Sequence, residues 1–435
     1  MSWVGRVTAE ARLPLFRNAY ALFGSSLISS GLGLVYWAIA ARVFPAAEVG
    51  IAASLISVLI FASGISQLNL QSALYRFVPQ AGPQTRALIG GAYLFVAGMS
   101  LVVGIVVTLI LFGIGSVPSD VADIGPAHLA AFAASVVIWS LFAFQDFVLA
   151  SLRLSVWVPI ENLVFAIVKI LLLVGFIWLH PFGIFVSWML SALLSVLVVS
   201  GLIFGVLLRR HWPATRPIHI TISGVARYAG ADYVAGIFMT AGTSLVPVLA
   251  FVILGSVASG HFYPVWLIAM MLWLAPAAML SSLLVESSAG HSDFRGDGLR
   301  VLRTIAVTIS GPILVLLVAA PLVLLIFGPE YAEEGAGPMR LLALSTIPYA
   351  VKSYATYLSR YERRMRRVIN IEAGAAVPSL VLAVILAPVL GLIGLALAVL
   401  IAQTMIAIVV TATVLRPVIR GWQGARTARP PEGAA

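Results

Sequence analysis

Apolar stretches of about twenty residues follow one another along almost the whole chain, each the length a helix needs to cross a hydrocarbon layer ~30 Å thick. Twelve segments qualify, at about 15–41, 49–74, 87–113, 127–151, 158–179, 184–208, 226–254, 262–284, 301–327, 338–359, 369–388 and 392–415. With 61% hydrophobic and only 10% charged residues among 435, there is too little polar surface to cover a water-soluble globule. The chain reads as an all-α polytopic membrane protein of twelve transmembrane helices.

Basic residues fix how it threads the bilayer. Of 26 lysines and arginines all but Lys169 and Lys352 are arginine, and 22 of those arginines fall in alternate gaps between spans, against Arg42 and Arg340 in the others. Arginine-rich gaps stay on the cytoplasmic side, so both termini are expected there, in a multi-pass protein of the cytoplasmic (plasma) membrane. The same placement explains the formal charge of +10 without nucleic acid as a partner. A first span preceded by Arg6, Arg12 and Arg17 reads as a signal anchor rather than a cleaved leader.

Several chemistries are excluded or unsupported. The absence of cysteine rules out disulfides and thiolate metal sites, and the six histidines lack ligand spacing, so neither metal nor cofactor is expected. No glycine-rich loop with a Gly-Lys-Ser or Gly-Lys-Thr ending exists to cradle ATP. The gaps expected on the outer face are short, which leaves no room for an external catalytic domain, and no catalytic residue is assigned.

The basic loop around Arg209 and Arg216 divides the spans six and six. Two six-helix lobes are expected, 1–212 and 213–422, followed by a disordered cytoplasmic tail, 423–435. Arg17-Asn18-Ala19-Tyr20 and Arg227-Tyr228-Ala229-Gly230 open the halves alike, as in a parallel repeat with a working cavity between its parts. Interior prolines concentrate in the second half (Pro247, Pro276, Pro312, Pro321, Pro348, Pro378 and Pro388), which suits a bendable lobe working against a stiffer one.

Charges inside spans are costly and mark function. Lys169 falls near the bilayer midplane, and Lys352 lies eight residues before Arg360 at the cytoplasmic end of its span. Each needs a cavity, a partner or a bound anion. Setting Arg153 against Arg360 puts Asp146 at the depth of Lys352, so the two lobes would present an acid and a base opposite each other; an ordinary buried ion pair is the competing reading. Arg42, at the outer edge, either receives a phosphate or pairs with Glu48. Tyr36 and Trp37 offer aromatic faces for sugar or isoprenoid. For Glu161 and Glu372, neutralisation by neighbouring arginines is expected.

The passages Arg17-Asn18-Ala19-Tyr20, Gly31-Leu32-Gly33, Ala40 through Gly50, Tyr75-Arg76-Phe77-Val78-Pro79 and Glu161-Asn162 through Lys169 resemble the polysaccharide transporters. This is the oligosaccharide-flippase, O-antigen-flippase-like family of the multidrug/oligosaccharidyl-lipid/polysaccharide exporter superfamily. The likeness is best over the first 180 residues. It implies the exporter-superfamily (MATE-like) architecture and an alternating-access flippase. The cargo would be a polyprenyl-diphosphate-linked glycan carried to the outer leaflet for cell-surface polysaccharide biosynthesis, with other glycan-synthesis membrane proteins as partners in the bilayer. A cation-coupled multidrug exporter of the same fold is the main alternative; a glycan ligase or polymerase, or a scaffold, would be of another class.

Overall fold

The computed structural model describes residues 30–113, 126–209, 222–288 and 293–416. The opening Arg-Asn-Ala-Tyr passage, the loop between the expected lobes and the tail at 423–435 lie outside them. Every described regular element is helical: α1 Ser30–Val43, α2 Ala46–Ser66, α3 Leu70–Ala81, α4 Thr85–Gly113, α5 Pro126–Ser151, α6 Trp157–Gly175, α7 Gly183–Gly205, α8 Ile222–Leu254, α9 Ser256–Ser288, α10 Phe294–Leu324, α11 Pro329–Tyr361 and α12 Met365–Val410.

Among the described residues, nine helical stretches are long and apolar enough to cross a membrane. One of them, Met365–Leu415, holds two of the expected spans, because the backbone breaks at Gly391 (φ 59°, ψ −138°). Only glycine adopts that conformation without strain. With α1 and the more polar α11, these account for the spans expected from the sequence, in a multi-pass integral membrane protein.

Two local differences have clear causes. The second expected span, 49–74, is interrupted: Leu68 and Asn69 are left-handed (φ 45° and 54°), which ends α2 and starts the amphipathic α3. Leu74 and Val78 of α3 are buried against Phe144, Val148 and Ile203. The long α10 bends at Ala319 (φ −103°, ψ 17°), between Pro312 and Pro321. Pro321 cannot donate to the Leu317 carbonyl four residues back. The Arg340 guanidinium of α11 takes that place, its Nε donating to the Leu317 oxygen at 3.0 Å.

The chain forms two compact units, Met1–Pro264 and Val265–Ala435, with the division inside α9. In the first, α5 packs on α4 and α7, α6 on α7, and α8 along α2. The start of α9 crosses α2 at bare backbone: a Cβ on Gly50 would lie 1.9 Å from the Ser256 oxygen, and one on Gly260 would lie 2.0 Å from the Ala46 oxygen. Small residues permit that approach in a membrane helix pair, and Ser54 and Ser259 bond across it, Oγ to Oγ at 3.2 Å. In the second unit, α11 packs on α10 and α12 around Leu280, Ile305, Tyr354 and Ile371.

Candidate functional site

The buried face of α6 repeats at helical spacing through Glu161, Phe165, Ala166, Lys169 and Leu173, so one stripe carries an acid near its start and a base near its middle. At a rise of 1.5 Å per residue they are ~12 Å apart along the axis, beyond ion-pair reach. Each must find its own surroundings.

Lys169 is 3% exposed, and its Nζ stands over three aromatic rings: Trp188 of α7 at 3.8 Å, Tyr36 of α1 at 4.5 Å and Phe165 of α6 at 4.9 Å. No carboxylate pairs with it among the described residues. Tyr36 is held in place by its hydroxyl, which donates to the Ile184 carbonyl at 2.8 Å and lies 2.8 Å from Ser187 Oγ, pinning α1 to α7. Trp37 packs behind it against Trp188 and, at 4.5 Å, against Tyr263. Trp188 Nε1 is buried with no acceptor. A desolvated cation–π contact contributes about 2 kcal/mol, and removing an ammonium from water costs several kcal/mol. The rings therefore offset only part of the cost, and the box retains a cation and an N–H donor that an anion would satisfy.

Lys352 stands differently. Its Nζ donates to Glu372 Oε2 at 2.8 Å, and Thr356 Oγ1 donates to the other Glu372 oxygen at 3.0 Å, with all three side chains buried. Glu372 is thus neutralised by a lysine from the preceding helix, not by the arginines near it in sequence.

Asp146 of α5 accepts from Asn162 Nδ2 at 3.2 Å, and the neighbouring Gln145 donates through Nε2 to Glu161. The α5–α6 and α11–α12 hairpins turn alike. Arg153 and Arg363 are both left-handed (φ 61° and 58°), and the next residues, Leu154 and Arg364, each bond five residues back, to the Leu149 and Ser359 carbonyls. Matching the turns sets Arg153 against Arg363 rather than Arg360. Asp146 then corresponds to Thr356, Asn162 to Glu372, and Lys352 to Phe142. The depth match of Asp146 with Lys352 expected from the sequence is replaced by this register.

Of the expected site residues, Tyr36, Trp37 and Lys169 come together, while Asp146 lies in its own polar group and Lys352 in the second unit. Arg42 is exposed at the end of α1, and Glu48 pairs with His180 Nδ1 at 2.7 Å. Trp188 and Phe165 went unremarked in the sequence, although a tryptophan in the middle of a span was a signal for the first.

No family model and no curated protein sequence matches the chain. Solved structures do. An inward-facing multidrug resistance MATE family transporter of the MOP superfamily superposes with a TM-score of 0.70 at 14% identity, over 90% of this chain and 95% of that one. The MATE multidrug transporter DinF-BH in complex with R6G gives 0.69 at 16%, over 93% and 96%. A MOP superfamily transporter from Pyrococcus furiosus, described as having a binding pocket of reverse polarity that suggests a different function, gives 0.58 at 14%, over 92% and 95%. Across nine-tenths of its length, then, this chain has the fold of the MATE transporters of the MOP superfamily.

Proposed function

We propose that the protein is a flippase that carries a polyprenyl-diphosphate-linked oligosaccharide from the cytoplasmic to the outer leaflet by alternating access, for cell-surface polysaccharide biosynthesis. The observation that carries this reading is the Lys169 box: a buried cation with aromatic walls and, among the described residues, no acid beside it. Such a box repels amphipathic cations and suits an anionic headgroup, because charge-assisted bonds from an ammonium and an indole N–H complement a diphosphate. Tyr36, Phe165 and Trp188 seal the lysine in this conformation, so the cargo reaches it only when α1, α6 and α7 part. Lys352, already paired, keeps the second unit in shape. The topology suits the direction of transport, with arginine-rich loops and both termini in the cytoplasm.

Multidrug export is the second reading, favoured by the MATE neighbours and by the R6G complex of one of them. Proteoliposomes separate the two. A labelled polyprenyl-diphosphate oligosaccharide should be translocated by the wild-type protein and about 10-fold more slowly by Lys169→Ala, with no efflux of a cationic dye. Dye efflux without glycolipid translocation would establish the exporter instead.

A further inference from the structure

The exposed face of α11 has no role in the reading above. Glu333, Arg340 and Ile347 recur at a spacing of seven residues, about two helical turns, and all three are exposed, so they form one stripe. From the Pro329 end, which the placement of arginines puts on the outer side, that stripe runs acid, base, apolar. Arg340 is twenty residues, ~30 Å, from Arg360 at the cytoplasmic end, which places it at the depth of the outer headgroups.

The guanidinium on this stripe is held in place. The Leu317 carbonyl, left without its helical donor by Pro321, takes the Arg340 Nε–H at 3.0 Å, which fixes the group and leaves both terminal nitrogens to donate. Among the described residues no carboxylate pairs with it. On the neighbouring α10, Leu314, Val318 and Leu322 line one face and are 62, 73 and 68% exposed. In a multi-pass membrane protein such a face meets acyl chains.

We propose that this stripe binds an outer-leaflet phospholipid with a zwitterionic head, phosphatidylethanolamine, as a resident neighbour of the second unit. The order of charges decides the class. In that lipid the ammonium lies outermost, the phosphate beneath it and the acyl chains below, and the stripe presents Glu333, Arg340 and Ile347 in the same order. A fixed guanidinium fork makes short, charge-assisted bonds to a phosphate. An anionic head without an ammonium would serve Arg340 equally well and leave Glu333 unmatched.

The site is independent of the identity of the cargo, and its test uses no glycolipid. Purified full-length protein, delipidated in non-ionic detergent, is titrated with dioleoyl phosphatidylethanolamine, dioleoyl phosphatidylglycerol or dioleoylglycerol, and bound lipid is counted by native mass spectrometry. Wild type should take up one phosphatidylethanolamine saturably, phosphatidylglycerol about 10-fold more weakly and dioleoylglycerol not at all, and inorganic phosphate should displace none of it. Arg340→Gln should weaken phosphatidylethanolamine binding by about 10-fold or more, and Glu333→Gln should bring the two phospholipids level. Pro321→Ala gives Leu317 a helical donor and releases Arg340, so it should weaken binding although the arginine remains. Elution as a monodisperse species verifies folding of each variant. Absence of saturable uptake by the wild type, wild-type affinity in folded Arg340→Gln, or displacement by inorganic phosphate would overturn the proposal. Equal binding of the two phospholipids by the wild type would overturn the match to Glu333 and with it the choice of lipid.

Discussion

In the second unit, Lys352 and Glu372 face each other across the α11–α12 hairpin at 2.8 Å, and each cancels the other's charge. In the first unit, α6 holds a base and an acid on one buried stripe, but two helical turns apart, so among the described residues Lys169 meets aromatic rings and no carboxylate, while Glu161 accepts from the Gln145 amide. Similar hairpins, with the same left-handed turn, thus arrive at opposite electrostatics. Paired charges hold a structure together, and separated ones are left with capacity to bind. On the function proposed above, ligand chemistry belongs to the first unit and scaffolding to the second.

The largest effect that could break this comparison is on stability in the second unit. Removing one partner of a buried pair costs about 3–5 kcal/mol, whereas replacing both with apolar groups is near neutral or better. Glu372→Gln and Lys352→Met should each lower the unfolding free energy by about that amount, and Lys352→Met combined with Glu372→Leu should recover most of it. Unfolding titrations in detergent provide the measurement. If the double variant were as unstable as the singles, Lys352 would have a role beyond its partner.

A smaller effect of opposite sign is expected at Lys169. Among the described residues it has no carboxylate partner to strand, so Lys169→Met removes an uncompensated buried charge and should raise stability by about 1–2 kcal/mol while impairing transport. Loss of stability instead would mean that the cation–π contacts outweigh desolvation and that the box is structural.

Much of this was legible in the sequence. Span length and arginine placement gave the helices, and the rarity of lysine pointed to Lys169 and Lys352. The partners were harder to see, although a signal existed: residues equidistant from a tight helical turn face each other. Counting eight residues outward from Leu154 reaches Asp146 and Asn162, and counting eight outward from the matching Arg364 reaches Thr356 and Glu372. Matching Arg153 to Arg360 instead of Arg363 hid this, because a left-handed arginine looks like any other in a run of five. The aromatic box was legible only in pieces, since Phe165 and Trp188 lie on successive helices near Lys169 while Tyr36 comes from α1, more than 100 residues earlier. The break at Leu68-Asn69 was masked by apolar neighbours on both sides.

The most direct test of the Lys169 box is equilibrium binding of a soluble-chain polyprenyl diphosphate to the protein in nanodiscs, wild type against Lys169→Met. Losing one charge-assisted contact of ~2 kcal/mol predicts affinity about 30-fold weaker in the variant, with the Lys352→Met, Glu372→Leu double variant binding as the wild type does. Equal affinity in wild type and Lys169→Met would contradict the account.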